Sequence, residues 1–140
     1  MKPVLETKEL TKIFAAEGKS DFTAVDHVNF QLYPGEILGI VGESGSGKST
    51  LVRAVSRLTD VTEGSIFLDG QDITRIKGKA LRQCYKKLQM VFQTPVTSFD
   101  PRRTLGDGIG ESLRNSGTSK AEAKKEVLRL LSQCGLSEEF

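Results

Sequence analysis

Cysteine, histidine and long apolar runs are all scarce in this sequence of 140 residues. It has two cysteines, Cys84 and Cys134, and a single histidine, His27. These are too few and too scattered to form a thiolate or imidazole metal cluster. The longest apolar run, residues 37–41, is far shorter than the roughly 20 residues that cross a bilayer, and the first residues open no signal-like segment. These absences argue against a metal-cluster protein and a membrane-spanning protein, and they predict a cytosolic chain unless a partner carries it elsewhere.

The charge balance is close to neutral. Lysine and arginine together number 20, and aspartate and glutamate 18, which leaves a net charge of +2. A polyanionic backbone usually selects a basic stripe, so this balance predicts no nucleic-acid partner. Apolar residues at 37% and charged residues at 27% are close to globular averages, whereas a disordered chain has fewer apolar residues and a larger charge imbalance. We therefore expect one packed domain.

Five segments have the pattern of β-strands. Residues 5–14 mix apolar with charged residues, and residues 28–32 alternate between apolar and polar, which is the period of a half-buried strand. Residues 66–68 are apolar and lie between two turn signals. Residues 37–41 form an unbroken apolar run and residues 88–92 a second short apolar segment, so both are predicted to be strands. We expect the strand at 37–41 to be buried, parallel and central, with neighbours on both sides.

Three segments are predicted to be helices. Residues 51–58 repeat apolar side chains at helical spacing, and residues 80–87 form a polar helix. A capping box, Ser119-Lys120-Ala121-Glu122, opens a third helix that ends at Gly135. Residues 131–135 imitate a phosphate-recognition loop, but they lie inside this amphipathic helix and are interpreted as its end.

A glycine-rich stretch between the predicted strand at 37–41 and the predicted helix at 51–58 matches the pattern G-x-x-x-x-G-K-[ST]. Its residues are Gly42, Glu43, Ser44, Gly45, Ser46, Gly47, Lys48 and Ser49. Glycines let successive backbone N–H groups converge on phosphate oxygens, and the helix N-terminus adds its positive end. We expect Lys48 to reach the β- and γ-phosphates, Ser49 to be a magnesium ligand, and Thr50 to donate toward the α-phosphate.

Several of these patterns have a second interpretation. A chance match, or a glycine-rich turn that holds a different anion, stays open for the loop. Asp69 follows a short apolar strand, as a magnesium-binding aspartate would, but Asp69-Gly70 is better explained as a hairpin turn. Residues 107–110 fit the D-x-x-G of GTPases, yet no Asn-Lys-x-Asp guanine reader occurs in the sequence, which argues against a GTPase.

Three motifs together carry a family resemblance. They are residues 42–50, Gln89-Met90-Val91-Phe92-Gln93-Thr94-Pro95, and Asp100-Pro101-Arg102. With them the chain resembles the nucleotide-binding subunit of ABC transporters, and most of all the ATP-binding subunits of oligopeptide, dipeptide and nickel importers. The resemblance implies an α/β fold with a P-loop NTPase-type sheet and N-terminal antiparallel β-strands. It also implies that residues 1–140 are the N-terminal part of an ABC-type nucleotide-binding domain.

The resemblance assigns roles to individual residues, with ATP and Mg²⁺ as cofactors. Phe14 matches the aromatic residue that stacks on adenine, and its alternative is a core aromatic residue. Gln93 matches a glutamine that binds magnesium and the attacking water and senses the transmembrane partner; its alternative is a solvated strand end. Lys48 and Gln93 are therefore the predicted catalytic groups. Residues 94–103, with Phe99 exposed, match the region where the membrane subunit inserts a coupling helix.

For the intact parent protein, the resemblance implies an ATPase at the cytoplasmic face of the cell membrane, held there peripherally. Its partners would be transmembrane permease subunits and a second nucleotide-binding subunit, and it would drive uptake of a small solute such as peptides or nickel. The family's signature loop, magnesium aspartate and catalytic glutamate would follow Phe140. We therefore expect these 140 residues alone to be inactive as an ATPase, and the strand at 37–41 to have an open edge.

Two further functions stay open. One is an interaction module that binds nucleotide or phosphate without turnover. The other is a small P-loop kinase, which needs an arginine-rich lid. The candidates for that lid are Arg53, Arg57, Arg102 and Arg103, which are scattered along the sequence.

Overall fold

The structure is a computed structural model, and it describes residues 1–15, 18, 20–94 and 99–136. These residues form two compact units, residues 1–89 and residues 90–140. The elements in chain order are β1 (Leu5–Phe14), β2 (Phe22–Leu32), α1 (Lys48–Val55), β3 (Glu63–Leu68), β4 (Gln71–Asp72), α2 (Gly78–Cys84), α3 (Leu105–Asn115) and α4 (Lys120–Gln133). Within the ranges just given, no helix is both long and apolar enough to cross a membrane.

The first unit is built on a four-stranded antiparallel sheet in the order β2-β1-β3-β4. This confirms the N-terminal antiparallel strands. β3 and β4 are joined by the two-residue turn Asp69-Gly70, and both residues have positive φ, at 51° and 78°. Two-residue hairpins favour this conformation because its twist matches that of the strands. The predicted hairpin turn is therefore confirmed.

The core of the first unit lies between the sheet and α1. Leu10 of β1 and Ile66 of β3 are fully buried, as is Ala54 of α1. Ile73, directly after β4, is 1% exposed and belongs to the same cluster. The alternation in β2 predicted its half-buried face correctly. The helical spacing after the loop was right for Leu51 and Val55, which are buried, but wrong for Val52 and Leu58, which are exposed.

Two predicted strands are wrong. The structure has no strand at residues 37–41, where Ile37 is 99% and Val41 96% exposed, and none at residues 88–92, where Val91 is 93% exposed. A strand needs a neighbour that pairs with its backbone N–H and C=O groups. Neither segment takes part in the ladders of the described sheet. Apolar composition alone did not make them strands.

The second unit contains the helices α3 and α4. Thr104 caps α3 by accepting a hydrogen bond from the backbone N–H of Asp107 at 3.1 Å. Ser119 caps α4 with Glu122 in the predicted capping box, and the chain leaves the helix through Gly135, whose φ is 73°. Both predictions for α4, its start and its end, are confirmed.

Candidate functional site

The phosphate loop, defined as residues 42–47, leads directly into α1. Gly47 occupies the N-cap with φ at 87°, and no side chain caps the helix. The first intrahelical bond runs from the Leu51 N–H to the Gly47 carbonyl at 2.8 Å. The first turn of α1 contains no acidic residue, so no carboxylate of that turn lies beside its backbone N–H groups. This arrangement suits a bound phosphate.

Strand β2 fixes the position of the loop. A Cβ on Gly47 would lie 2.0 Å from the carbonyl oxygen of Ala24, so only glycine fits there. Ala24 lies where the β1–β2 register shifts, because Lys12 pairs with Val25 and Ile13 with Thr23. A bulge of this kind leaves one residue outside the ladder and redirects its backbone groups. The sequence analysis did not identify Ala24. The third glycine of the loop, Gly47, was the signal that another part of the chain lies close to the backbone at that position.

Lys48 folds back over the phosphate loop. Its ammonium Nζ donates to the carbonyl of Gly42 at 2.7 Å, to the carbonyl of Glu43 at 2.5 Å and to the Ser46 hydroxyl at 3.2 Å. All three donors of the ammonium group are thus used by the loop itself. Phosphate oxygens can replace these neutral acceptors and give stronger, charge-assisted bonds.

A cavity of about 160 Å³ lies beside the loop. Its lining residues are Phe22, Ala24, Gly45, Ser46, Gly47, Lys48, Ser49 and Thr50. None of them is a carboxylate, and no group of three or more His, Cys, Asp or Glu side chains forms a metal site in the described part of the chain. The hydroxyls of Ser46, Ser49 and Thr50 are the side-chain oxygens in this lining. They suit Mg²⁺, which commonly takes few protein ligands and completes its shell with phosphate oxygens and water.

The predicted site residues fall into separate groups. The second half of the motif, residues 45–50, lines the cavity, whereas Gly42 and Glu43 contribute carbonyls to Lys48 and Ser44 is exposed. Gln93 is also exposed, in the second unit, and the strand that it was expected to end is absent.

Phe14 lies at the end of β1 and pairs with Phe22 of β2. Its side chain is 43% exposed, so the alternative of a core aromatic residue is wrong. The ammonium of Lys12 lies 5.0 Å from the centroid of the Phe14 ring. Phe22, for which the sequence patterns predicted no role, is 59% exposed and lines the cavity.

Asp69 does not have the surroundings of a magnesium ligand. It forms the β3–β4 turn, and its carboxylate accepts a hydrogen bond from the ammonium of Lys87 at 2.6 Å. That bond raises the pKa of Lys87. The structural role predicted for the Asp69-Gly70 turn accounts for this residue.

The second unit has a cavity of about 370 Å³ next to α3. Its lining residues are Phe99, Asp100, Arg103, Thr104, Gly108, Glu111, Ser112 and Asn115. Phe99 is 41% exposed, as expected, and Arg103 is bound to Glu111 at 2.6 Å. This surface includes part of the segment that the resemblance assigned to a coupling helix.

Comparison with known proteins gives consistent matches along the chain. The profile of the ABC transporter family matches residues 25–139. The glutathione import ATP-binding protein GsiA of Pectobacterium atrosepticum is 46% identical over 117 residues, which are 83% of this chain and 19% of that protein. The oligopeptide transport ATP-binding protein OppF of Streptococcus mutans is 37% identical over 140 residues, which are 99% of this chain and 46% of that protein. The chain thus spans less than half the length of these relatives.

A solved structure gives the same result for the fold. A dimeric, post-hydrolysis state of the ATP-binding cassette MJ0796 bound to ADP and Pi superposes with a TM-score of 0.82 and 28% identity, over 97% of this chain and 59% of that chain. This confirms the predicted α/β fold. The matches to import ATP-binding proteins confirm the predicted resemblance. The chain belongs to the ABC transporter family.

Proposed function

We propose that the chain binds ATP with Mg²⁺ at the phosphate loop and that it is the ATP-binding part of an ABC importer. The observation that carries the proposal is Lys48, whose ammonium is held across the loop at the uncapped start of α1. Lys48, the glycines at positions 45 and 47 and the first residues of α1 all line one small cavity. Polyphosphate is the ligand class that this combination suits.

Each part of the site has a separate task in binding. The amides of the loop and of the first turn of α1 hold the phosphate oxygens, and Lys48 exchanges its carbonyl acceptors for the β- and γ-phosphates. Ser49 supplies one oxygen to Mg²⁺, and Thr50 donates toward the α-phosphate. When bound, the metal neutralises phosphate charge. Phe14 offers an exposed aromatic ring for adenine, and Gln93 is proposed as a ligand of magnesium and of the attacking water.

Turnover requires groups that the cavity lining does not include. Hydrolysis needs a carboxylate or another group that positions the attacking water, and the residues described around the cavity include no aspartate or glutamate. This favours binding without turnover by these 140 residues alone. The same observation supports the second candidate function, a module that binds nucleotide without hydrolysing it.

The relatives support a wider proposal for the parent protein. Their names describe ATP-binding proteins for the import of glutathione and for the transport of oligopeptides and dipeptides. We propose transmembrane permease subunits and a second nucleotide-binding subunit as partners, at the cytoplasmic face of the membrane. The solved relative is itself dimeric. Peptides or nickel are the proposed solutes, and the names of these relatives favour peptides.

Removal of the Lys48 ammonium tests the site. Lys48→Ala is expected to weaken the binding of a fluorescent ATP analogue by roughly 10- to 150-fold, the loss of one charge-assisted contact. Lys8→Ala is the matched control, since it removes the same charge from an exposed position on β1. Equal affinities of wild type and Lys48→Ala would refute the site. Phosphate release, measured in parallel, is expected to stay at background.

A further inference from the structure

The cavity beside the phosphate loop is too small for a whole nucleotide. Its volume of about 160 Å³ is below the roughly 300 to 1,000 Å³ of typical small-molecule sites. The loop amides and Lys48 surround the part that suits phosphate. If a nucleotide binds there, its ribose and base must lie at the rim of the cavity, and the residues of that rim decide how they are held.

Phe22 is the aromatic residue of that lining. The other lining residues are Ala24 and six residues of the loop and of α1, none of them aromatic. The side chain of Phe22 is 59% exposed, so it has no role in the core that would explain its position. A large exposed aromatic ring beside a phosphate site provides the apolar surface on which a purine and its sugar can pack.

The neighbouring ring, Phe14, is differently placed. It lies directly opposite Phe22 in the β1–β2 ladder, and such opposed side chains are about 5 Å apart at Cβ. However, Phe14 is not among the residues that line the cavity, and the Lys12 ammonium lies 5.0 Å from the centroid of its ring. Among the residues that the structure describes, no such cation lies over Phe22.

We infer that Phe22 is a nucleotide-contacting residue, whose ring forms the apolar wall on which the ribose and base of the nucleotide pack. The base is then held by the Phe14–Phe22 pair and not by Phe14 alone. This inference rests on the proposed ATP binding at the phosphate loop. The apolar wall nearest the phosphates then belongs to β2. The Ala24 carbonyl of the same strand leaves room only for glycine at position 47.

The test compares two ligands that share their phosphates. MgATP and magnesium tripolyphosphate both carry three phosphate groups, but only ATP has a ribose and a base. Phe22→Ala is expected to weaken the binding of MgATP by roughly fivefold to thirtyfold, since stacking on an aromatic side chain contributes about one to two kcal/mol. It is expected to leave tripolyphosphate binding within twofold, whereas Lys48→Ala weakens both. Calorimetry or equilibrium dialysis gives the affinities.

Two further variants sharpen the comparison. Phe14→Ala is expected to weaken MgATP no more than Phe22→Ala does. Phe67→Ala is the control, because Phe67 is another sheet phenylalanine with a lysine ammonium 5.0 Å from its centroid, and it does not line the cavity. It is expected to leave both affinities unchanged. Thermal unfolding checks each variant, and Phe22→Leu replaces Phe22→Ala if the latter does not fold, with a smaller loss of MgATP affinity expected.

Each other outcome has a definite meaning. If wild type binds MgATP and Phe22→Ala binds it equally well, the role of Phe22 is refuted while the proposed function stands. If Phe22→Ala weakens both ligands equally, the residue acts through the loop and the inference also fails. If wild type binds neither ligand, the proposed function fails and the inference with it.

Discussion

Two short apolar segments of the first unit differ completely in their surroundings. Residues 66–68 lie in β3, and Ile66 is fully buried. Residues 37–41 are just as apolar, yet Ile37 is 99% exposed. Apolar character makes burial favourable, but a strand is buried only where its backbone groups are also paired. The comparison shows that pairing, and not composition, separates the two segments.

The backbone of β3 is satisfied from both sides. Ile66 lies opposite Thr7 of β1, and its carbonyl accepts a hydrogen bond from the Ile73 N–H at 2.9 Å. Its own N–H donates to the buried hydroxyl of Thr74 at 2.8 Å. Residues 37–41 have no place in the described ladders. Ile37 and Val41, at the two ends of this segment, are almost fully exposed, whereas Leu38 and Ile40 are 47% and 40% exposed.

Truncation of the two isoleucines is the most direct way to break this comparison. Ile66→Ala is expected to lower the free energy of unfolding by about 2 to 5 kcal/mol, because it opens a cavity in the core. Ile37→Ala is expected to change it by less than about 0.5 kcal/mol, as exposed substitutions usually do. Urea unfolding of both variants and of wild type gives the two values. A cost for Ile37→Ala that approaches the cost for Ile66→Ala would show that residues 37–41 are buried in the folded protein.

A second pair of variants uses the glycines on either side of the unpaired segment. Gly35 and Gly47 both have positive φ, at 82° and 87°, but a Cβ on Gly35 meets nothing within 4 Å. Gly35→Ala is expected to cost about 1 kcal/mol, from left-handed strain alone. Gly47→Ala adds the collision with the Ala24 carbonyl and is expected to cost about 2 to 4 kcal/mol. The measurement is again chemical unfolding.

Equal costs at the two positions would contradict the contact between the loop and β2. A larger cost at Gly35 would show that the turn before residues 37–41, closed by the Glu36 N–H and the Tyr33 carbonyl at 3.1 Å, carries tertiary contacts. Either result would change the account of what positions the phosphate loop.

The features that sequence predicted correctly depend on local chemistry. The hairpin turn needs only Asp69-Gly70, and the start of α4 needs only the capping box. The features that it missed are non-local. Ala24 reaches Gly47 only because of a register shift between two strands, and Phe22 reaches the cavity only because β2 lies beside the loop. No spacing along the chain encodes such contacts.

The capping box of α4 is a local feature of this kind, and it predicts how the stability at the start of α4 depends on pH. The carboxylate of Glu122 accepts hydrogen bonds from the Ser119 hydroxyl at 2.6 Å and from the Ser119 N–H at 3.3 Å. These bonds hold the pKa of Glu122 below its ordinary value, with the hydroxyl as the larger cause. A carboxyl group with a lowered pKa in the folded state contributes stability above its ordinary pKa and loses it as the pH falls through the folded value.

We therefore expect a small and local effect of pH on stability at the start of α4. Wild type should be slightly more stable than Glu122→Gln at neutral pH, and the difference should shrink as the pH falls below the ordinary glutamate pKa of about 4.3. Unfolding curves at a series of pH values, with NMR of the Ser119 and Glu122 amides, measure the effect. In a Ser119→Ala background the difference should be smaller at every pH, because the hydroxyl that favours the carboxylate is gone. A difference in stability that grows as the pH falls would have the wrong sign for a carboxylate stabilised in the folded state. It would refute the stabilising role of the Glu122 carboxylate in the capping box.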